Sequence, residues 1–161
     1  MTNILAIDAA TRLGWAYEVA GVCDSGVESF ELRKSETRGW RYVRFHAWLY
    51  EWKSWHLDLL VVERPLPNHC QRAVAEIAFG FYTRIEEFCA RKNVELQTVH
   101  NGTLKKYACG NGRASKPEMI AAAQRLKLGV VDDNESDALW LLEWARKNLS
   151  IQQEVHAMPQ V

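Results

Sequence analysis

Three acidic residues lie at the ends of predicted strands and helices, next to apolar residues. Asp8 and Glu63 each directly follow an apolar run, ILAI and LLVV. A carboxylate beside a core strand is costly to desolvate unless it is paired or bound to a metal. Asp137 lies at the opening of the last helical segment, where the small Ala138 permits a close approach to a sheet. Each acid alone is explained by solvent or helix capping, but the three together predict a shared site.

Oxygen ligands that converge in this way suit Mg²⁺ or Mn²⁺. Two such ions about 3.5–4 Å apart can activate a water and stabilise the leaving oxygen in phosphodiester hydrolysis. No Gly-rich phosphate loop or Ser-His-Asp pattern offers a competing chemistry. Lys116, at a predicted helix start, could bind the scissile phosphate or developing charge, or it could be an ordinary solvated lysine.

The acids can meet only if the strands that carry them lie side by side. Three short consecutive strands predict an antiparallel meander, and the continuous apolar run over 57–62 predicts a strand covered on both faces. Ligands of α/β sheets collect at the carboxyl ends of strands, where Asp8 and Glu63 stand. We therefore expect an α/β, ribonuclease H-like fold with a five-stranded mixed sheet, three antiparallel edge strands and flanking helices. The predicted strands are 3–7, 14–19, 25–32, 57–62 and 94–99, and the predicted helices are 37–55, 71–91, 102–108, 116–126 and 135–148.

Length and composition limit the number of domains that the chain can form. The chain has 161 residues, of which 48% are hydrophobic and 25% charged, which predicts one globular domain over 1–150 and a flexible C-terminal tail over 151–161. No apolar run approaches the ~20 residues of a membrane span. The N-terminus lacks the charged region and cleavage site of a signal peptide. We expect a cytoplasmic protein with no membrane association.

The formal net charge is zero, which by itself does not indicate nucleic-acid binding. Locally, however, the segment 102–127 holds six basic residues against the single acid Glu118. Such a run is often no more than a solvated face. It can also be a DNA-binding surface, with Lys105, Lys106, Arg113 and Lys116 as the candidate contacts.

Four segments, in order, resemble motifs of the RuvC-type Holliday junction resolvases. Residues 4–16 resemble the opening strand, acid and second-strand glycine, and residues 60–63 resemble the second acidic motif. Residues 110–116 are similar to the basic Gly-rich segment ahead of a helix, and residues 136–139 resemble the final motif. The form of the last motif and the neutral charge look more like a phage or prophage branch than the cellular enzyme.

The resemblance implies a homodimer that cuts two strands of branched DNA symmetrically. It implies catalytic acids at Asp8, Glu63 and Asp137, a catalytic lysine at Lys116, and a divalent metal, Mg²⁺ with Mn²⁺ able to substitute, as the only cofactor. The activity so implied is that of a crossover junction endodeoxyribonuclease, resolving Holliday junctions by the two-metal mechanism.

Two positions depart from the family pattern. The family often has an acid three residues before the last Asp, where this chain has Asn134. Asp133 shares a helix face with Asp137 and could substitute, while Asn134 could ligate through its carbonyl oxygen with less charge; we favour Asp133. The family's cellular members also place an aromatic residue shortly after the second acidic motif. Here that position is Leu66, which could still act as an apolar wedge between bases.

Three other functions are compatible with parts of the pattern. A ribonuclease H-like nuclease acting on flaps or RNA–DNA hybrids would need the same acids. A catalytically silent junction-binding dimer is allowed by the amide at Asn134. A sugar kinase-like ATPase also opens on an apolar strand with Asp, Thr and Gly, but this chain is too short for two domains and lacks the later phosphate loops.

Overall fold

The computed structural model describes residues 2–52, 56–66, 72–127 and 129–157, and side chains as far as residue 149. Its elements follow the predicted order of three strands, then alternating helices and strands, then three helices. The strands are β1 (Ile4–Asp8), β2 (Arg12–Val19), β3 (Val22–Ser29), β4 (Leu59–Glu63) and β5 (Glu95–Val99). The helices are α1 (Trp40–Glu51), α2 (Arg72–Lys92), α3 (Asn101–Cys109), α4 (Lys116–Ala123) and α5 (Asp133–Ala157).

The five strands form one mixed sheet in the order β3-β2-β1-β4-β5. The β1–β2 and β2–β3 pairs are antiparallel, whereas β1–β4 and β4–β5 are parallel. The predicted sheet with three antiparallel strands on one side is confirmed. In the β1–β4 register Ile7 lies opposite Val62, so the acids that follow them, Asp8 and Glu63, come out at the same edge.

Helices cover both faces of the sheet, as the apolar run in β4 predicts. Leu5, Ile7, Leu60 and Val62 belong to a core cluster with side chains of α1 and α2. The alternate strand residues belong to a second cluster with side chains of α3, α4 and α5, and they are Ile4, Ala6, Leu59 and Val61. Successive side chains of a strand point to opposite faces, so Asp8 and Glu63 continue the row that faces α5.

The third strand begins and ends three residues earlier than predicted. A two-residue turn joins β2 to β3, with positive φ at Ala20 (51°) and Gly21 (80°). Positive φ at both central residues is the hairpin geometry that matches the twist of paired strands. The turn pairs Val19 with Val22 and Arg12 with Ser29, so the prediction of a strand over 25–32 was wrong at both ends.

The two halves of α2 differ in how well they are packed. Phe81, Ile85 and Phe88 in the second half are buried against the sheet. In the first half Val74 is 52% exposed and Phe79 is 36% exposed. The first half of α2 thus presents apolar side chains to solvent beside the edge where the acids emerge.

The last helix is longer than the predicted 135–148 at both ends, because it starts at Asp133 and continues to Ala157. The division into a domain over 1–150 and a tail over 151–161 stays a prediction. Among the helices in the described ranges, none combines the length and apolarity that crossing a membrane requires.

Candidate functional site

Glu63 is held in place by a side chain from the next strand connection. Asn101, the first residue of α3, donates its side-chain amide to both carboxylate oxygens of Glu63, at 3.2 Å (Oε1) and 3.0 Å (Oε2). Burial raises the pKa of Glu63, while the Asn101 hydrogen bond and the charges of Lys105 and His100 lower it. Asn101 therefore orients the carboxylate. Its position in the sequence, at the start of a helix, does not predict this role.

Gly14 lets the start of α5 sit directly on the sheet. It pairs with Asp8 across the β1–β2 ladder, and a Cβ added to it would lie 1.8 Å from the backbone oxygen of Asn134. Only a glycine fits such an approach. The sequence predicts that Ala138 permits the close approach, and Ala138 is fully buried, but Gly14 makes the tighter contact.

The three predicted acids lie within electrostatic reach of one another. Burial raises the pKa of Asp8 well above its ordinary value, and the charges of Asp137, Glu63 and Asp133 raise it further. Burial together with Glu63 and Asp133 raises the pKa of Asp137 to about 7. Lys116 acts in the opposite direction on both aspartates. Neighbouring carboxylates whose pKa values are raised by burial and by one another's charge create a local potential that favours a bound cation.

The donor chemistry fits a hard divalent cation, since every candidate ligand is an oxygen. A bound cation would lower the pKa of Asp8 and of Asp137, which burial and the neighbouring carboxylates raise. Within the described ranges, however, no three His, Cys, Asp or Glu side chains are already arranged to hold an ion.

The side chains of Asp133 and Asn134 have different hydrogen-bond partners. Asp133 accepts a hydrogen bond from the Lys116 ammonium, and its charge raises the pKa of both Asp8 and Asp137. Asn134 instead donates its backbone amide (2.9 Å) and its side-chain amide (3.1 Å) to Asp132. Asn134 also lines a cleft next to β2. The geometry thus associates Asp133, and not the Asn134 side chain, with the acids.

A second group of contacts fixes the first turn of α5 to the antiparallel strands. Lys127 donates to Glu135 Oε1 (3.1 Å) and to the Oγ and backbone oxygen of Ser25 (2.9 and 3.0 Å). Ser25 Oγ in turn donates to Glu135 Oε1 (2.7 Å), and Arg12 pairs with Asp132 at 2.6 Å. These residues position the acids without touching them. In the sequence, Lys127 is only the last residue of the basic run over 102–127, and no local pattern indicates this network.

The remaining candidates are spread around the acids. Lys105 is half-buried and lowers the pKa of Glu63 and Asp137, while Lys106 and Arg113 are exposed. The Lys116 side chain, at the capped start of α4, is 78% exposed. Leu66 is half-buried and lines a cleft that also includes Glu63 and Asn101.

No protein-family model and no curated protein matches this sequence. Solved structures do match it. The structure described as T. thermophilus RuvC in complex with Holliday junction substrate superposes with a TM-score of 0.73 at 19% identity, covering 92% of this chain and 97% of that chain. A second Thermus thermophilus RuvC structure gives a TM-score of 0.70 at 19% identity, covering 91% of this chain and 97% of that one. The chain therefore has the ribonuclease H-like fold of RuvC, as its sequence predicts.

Proposed function

We propose that this protein is a metal-dependent endonuclease that hydrolyses phosphodiester bonds in branched DNA. The observation that carries the proposal is the cluster of partly buried carboxylates at the carboxyl edge of β1 and β4, facing the start of α5. The fold is shared with a RuvC that was solved with a Holliday junction substrate. A four-way junction is accordingly the first substrate to try.

We assign the metal to Asp8, Glu63, Asp137 and Asp133, with Mg²⁺ as the ion and Mn²⁺ as a substitute. When bound, such ions supply an activated water and stabilise the leaving oxygen. Asn101 holds the Glu63 carboxylate in one orientation. Lys116 is exposed, so it can exchange the Asp133 carboxylate for an incoming DNA phosphate and neutralise part of its charge.

The proposal is tested by Mg²⁺-dependent cleavage of a synthetic four-way junction. The wild-type chain should cut it, and Asp137→Asn should lower the single-turnover rate by at least about 100-fold, because the change removes a charged ligand. Glu95→Gln is the matched control, since Glu95 is an exposed acid at the opposite end of the parallel strands. Equal loss in both variants would contradict the assignment.

The substrate class needs its own comparison. Junctions, flaps and RNA–DNA hybrids of the same length should be cut at different rates, with the junction fastest. Equal cutting of all three would replace the resolvase proposal with a ribonuclease H-like nuclease of broad specificity.

A catalytically silent junction-binding protein is the second candidate. It is favoured by the absence of a preassembled ligand set in the described residues and by the Lys116–Asp133 pair. Calorimetric titration with Mg²⁺ and Mn²⁺, together with gel-shift assays on junctions, separates the two. Junction binding without metal binding or cleavage would establish the silent protein.

We also propose that the chain acts as a homodimer, because two strands must be cut to resolve a junction. Sedimentation of the full chain with and without junction DNA tests this. A cytoplasmic location and a phage or prophage origin stay predictions.

A further inference from the structure

Two asparagines of the chain are followed by glycine, at 101–102 and 111–112. Asparagine is thermolabile, and a following glycine has no side chain to hinder the attack of its backbone nitrogen on the asparagine Cγ. The two dipeptides therefore start from the same intrinsic reactivity. Their glycines touch, since a Cβ added to Gly112 would lie 3.1 Å from the backbone oxygen of Gly102, but their asparagines have different surroundings.

Asn101 is held in an unreactive arrangement. It is the first residue of α3, so the helix fixes its backbone. Its side-chain amide donates to both carboxylate oxygens of Glu63, at 3.2 and 3.0 Å. The negative charge of Glu63 opposes the oxyanion that an attack on the Asn101 side chain would create. The contact that orients Glu63 thus also protects Asn101.

Asn111 has the opposite surroundings. It is exposed, and it lies in the loop 110–115 between the left-handed C-cap of α3 and the start of α4. Its side-chain Oδ1 accepts the backbone amide of Arg113 at 3.0 Å. A donor at this oxygen stabilises the negative charge that develops when a nucleophile adds to the carbonyl carbon. In the described part of the chain, no hydrogen bond occupies the Gly112 amide, which is the nucleophile.

We propose that Asn111 deamidates spontaneously and that its product weakens the nuclease. The Gly112 nitrogen loses its proton to solvent and forms a bond to Asn111 Cγ. The Cγ–Nδ2 bond then breaks, and the nitrogen takes up a proton from solvent and leaves as ammonia. Water opens the resulting succinimide at either carbonyl, which yields aspartate or isoaspartate. Water is the only co-reactant, and no electrons are transferred.

Either product changes the loop 110–115. Both place a negative charge next to Arg113, a candidate DNA contact, and isoaspartate also adds one carbon to the main chain. Little slack exists for that carbon, because the Ala114 amide is bonded to the Asn111 backbone oxygen at 3.1 Å and Ala114 is buried. We expect the start of α4, with Lys116, to shift. This effect rests on the proposed nuclease function, whereas the deamidation itself does not.

Peptide mapping tests the chemistry without any assay of cleavage. Trypsin separates the two dipeptides into peptides 93–105 and 107–113. When folded protein ages under reducing conditions at mildly alkaline pH, Asn111 should be converted to the acid at least about ten times faster than Asn101, a smaller factor than one oxyanion donor supplies. In urea the two rates should converge. Equal rates in the folded protein, or no reaction at Asn111, would overturn the proposal.

Asn111→Ser is the stable reference, because a hydroxyl can accept the same Arg113 amide and has no amide to lose. Freshly prepared, it should cut a four-way junction as the wild type does. On ageing, the wild type should lose cleavage rate in proportion to its isoaspartate, which an isoaspartyl methyltransferase assay quantifies, and Asn111→Ser should keep its rate. Equal losses in the two proteins would overturn the effect on the nuclease, as would full activity of the isoaspartate form.

Asn111→Asp separates the added charge from the added carbon. It should bind junctions more weakly than Asn111→Ser, with a salt dependence shallower by about one phosphate contact. Aged wild type should bind more weakly still, because isoaspartate also moves the backbone. Gel shifts measure this even in a chain that does not cleave, so a fall in junction binding on ageing supports the inference where the nuclease proposal fails. Aged wild type that binds as tightly as aged Asn111→Ser would overturn the functional effect and leave the nuclease proposal intact.

Discussion

The two faces of the sheet are built from different side chains. The face toward α1 and α2 is aromatic, with Phe30, Phe45 and Phe81 in edge-to-face or tilted contact at 4.9–5.8 Å between ring centroids. The face toward α5 has no aromatic side chain among its described buried residues and combines aliphatic side chains with five fully buried alanines: Ala6, Ala16, Ala123, Ala138 and Ala145. Large rings bury much apolar area, whereas small residues let a helix approach closely. We therefore expect the aromatic face to contribute mainly to stability and the face toward α5 to place the acids as well.

The largest expected effect is on stability and concerns the aromatic face. Phe81→Ala removes a fully buried ring and should lower the free energy of unfolding by about 3–5 kcal/mol. Phe79→Ala, on the same helix but 36% exposed, should cost far less. Urea denaturation measures both. Metal affinity of the folded Phe81→Ala protein should stay within a few-fold of wild type, and a larger loss would show that the two faces are not separable.

Gly14→Ala tests the other face. The added Cβ would collide with the backbone oxygen of Asn134, so α5 must move off the sheet. We expect a loss of about 1–3 kcal/mol from overpacking and, because Asp133 and Asp137 move with the helix, at least a ten-fold loss of Mg²⁺ affinity. Gly39→Ala is the control, since nothing lies within 4 Å of a Cβ there. Retained Mg²⁺ affinity in Gly14→Ala would show that this close approach does not place the acids.

The acids should make stability fall as pH rises. The pKa of Asp137 is about 7 in the folded protein against an ordinary value of 3.8, so between these pH values the folded state binds more protons than the unfolded state. The contribution of this group is fully present below about pH 3.8, and it declines by up to roughly 1.4 kcal/mol per pH unit until about pH 7. Thermal unfolding without metal, across this range, measures the decline.

Two additions sharpen the pH experiment. Mg²⁺ should restore stability near neutral pH by binding the ionised carboxylates, and Asp137→Asn should flatten the profile. Burial also raises the pKa of Asp8 and Glu63, so a residual slope is expected in that variant. A profile that Asp137→Asn leaves unchanged would contradict the described electrostatics.

The smallest effect is expected from Lys127→Met, which breaks contacts to Glu135 and Ser25 but keeps much of the side-chain volume. Because Lys127 is 40% exposed, the loss of stability should be only about 1 kcal/mol. Mg²⁺ affinity should fall about five-fold if the network positions α5, and Lys127→Arg should restore part of it. A loss of stability with unchanged Mg²⁺ affinity would show that the network stabilises the fold but does not position the acids.

The sequence predicted the sheet and its acids because both depend on local regularities. Apolar runs end at Asp8 and Glu63, and parallel strands bring such ends to one edge. What could not be predicted depends on contacts between distant residues. Nothing in the pattern indicates that Asn101 binds Glu63 or that Lys127 reaches Ser25. The orientation of Asp133 and Asn134 depends on Asp132, which precedes the helix and accepts hydrogen bonds from both Asn134 amides (2.9 and 3.1 Å). The predicted helix started at residue 135, so this contact lay outside it.

The contact between Gly14 and Asn134 also has a dynamic consequence. A helix end that touches the backbone of a central strand cannot lift away without exposing the alanine-lined core beneath it. The Ser136 amide, bonded to the Asp132 backbone oxygen at 3.1 Å, should therefore exchange its hydrogen with solvent only through global unfolding. Its protection factor should equal that of Ile7 in β1. The acids would then share one cooperative unit with the sheet, and no partly opened form of the protein would retain the proposed metal site.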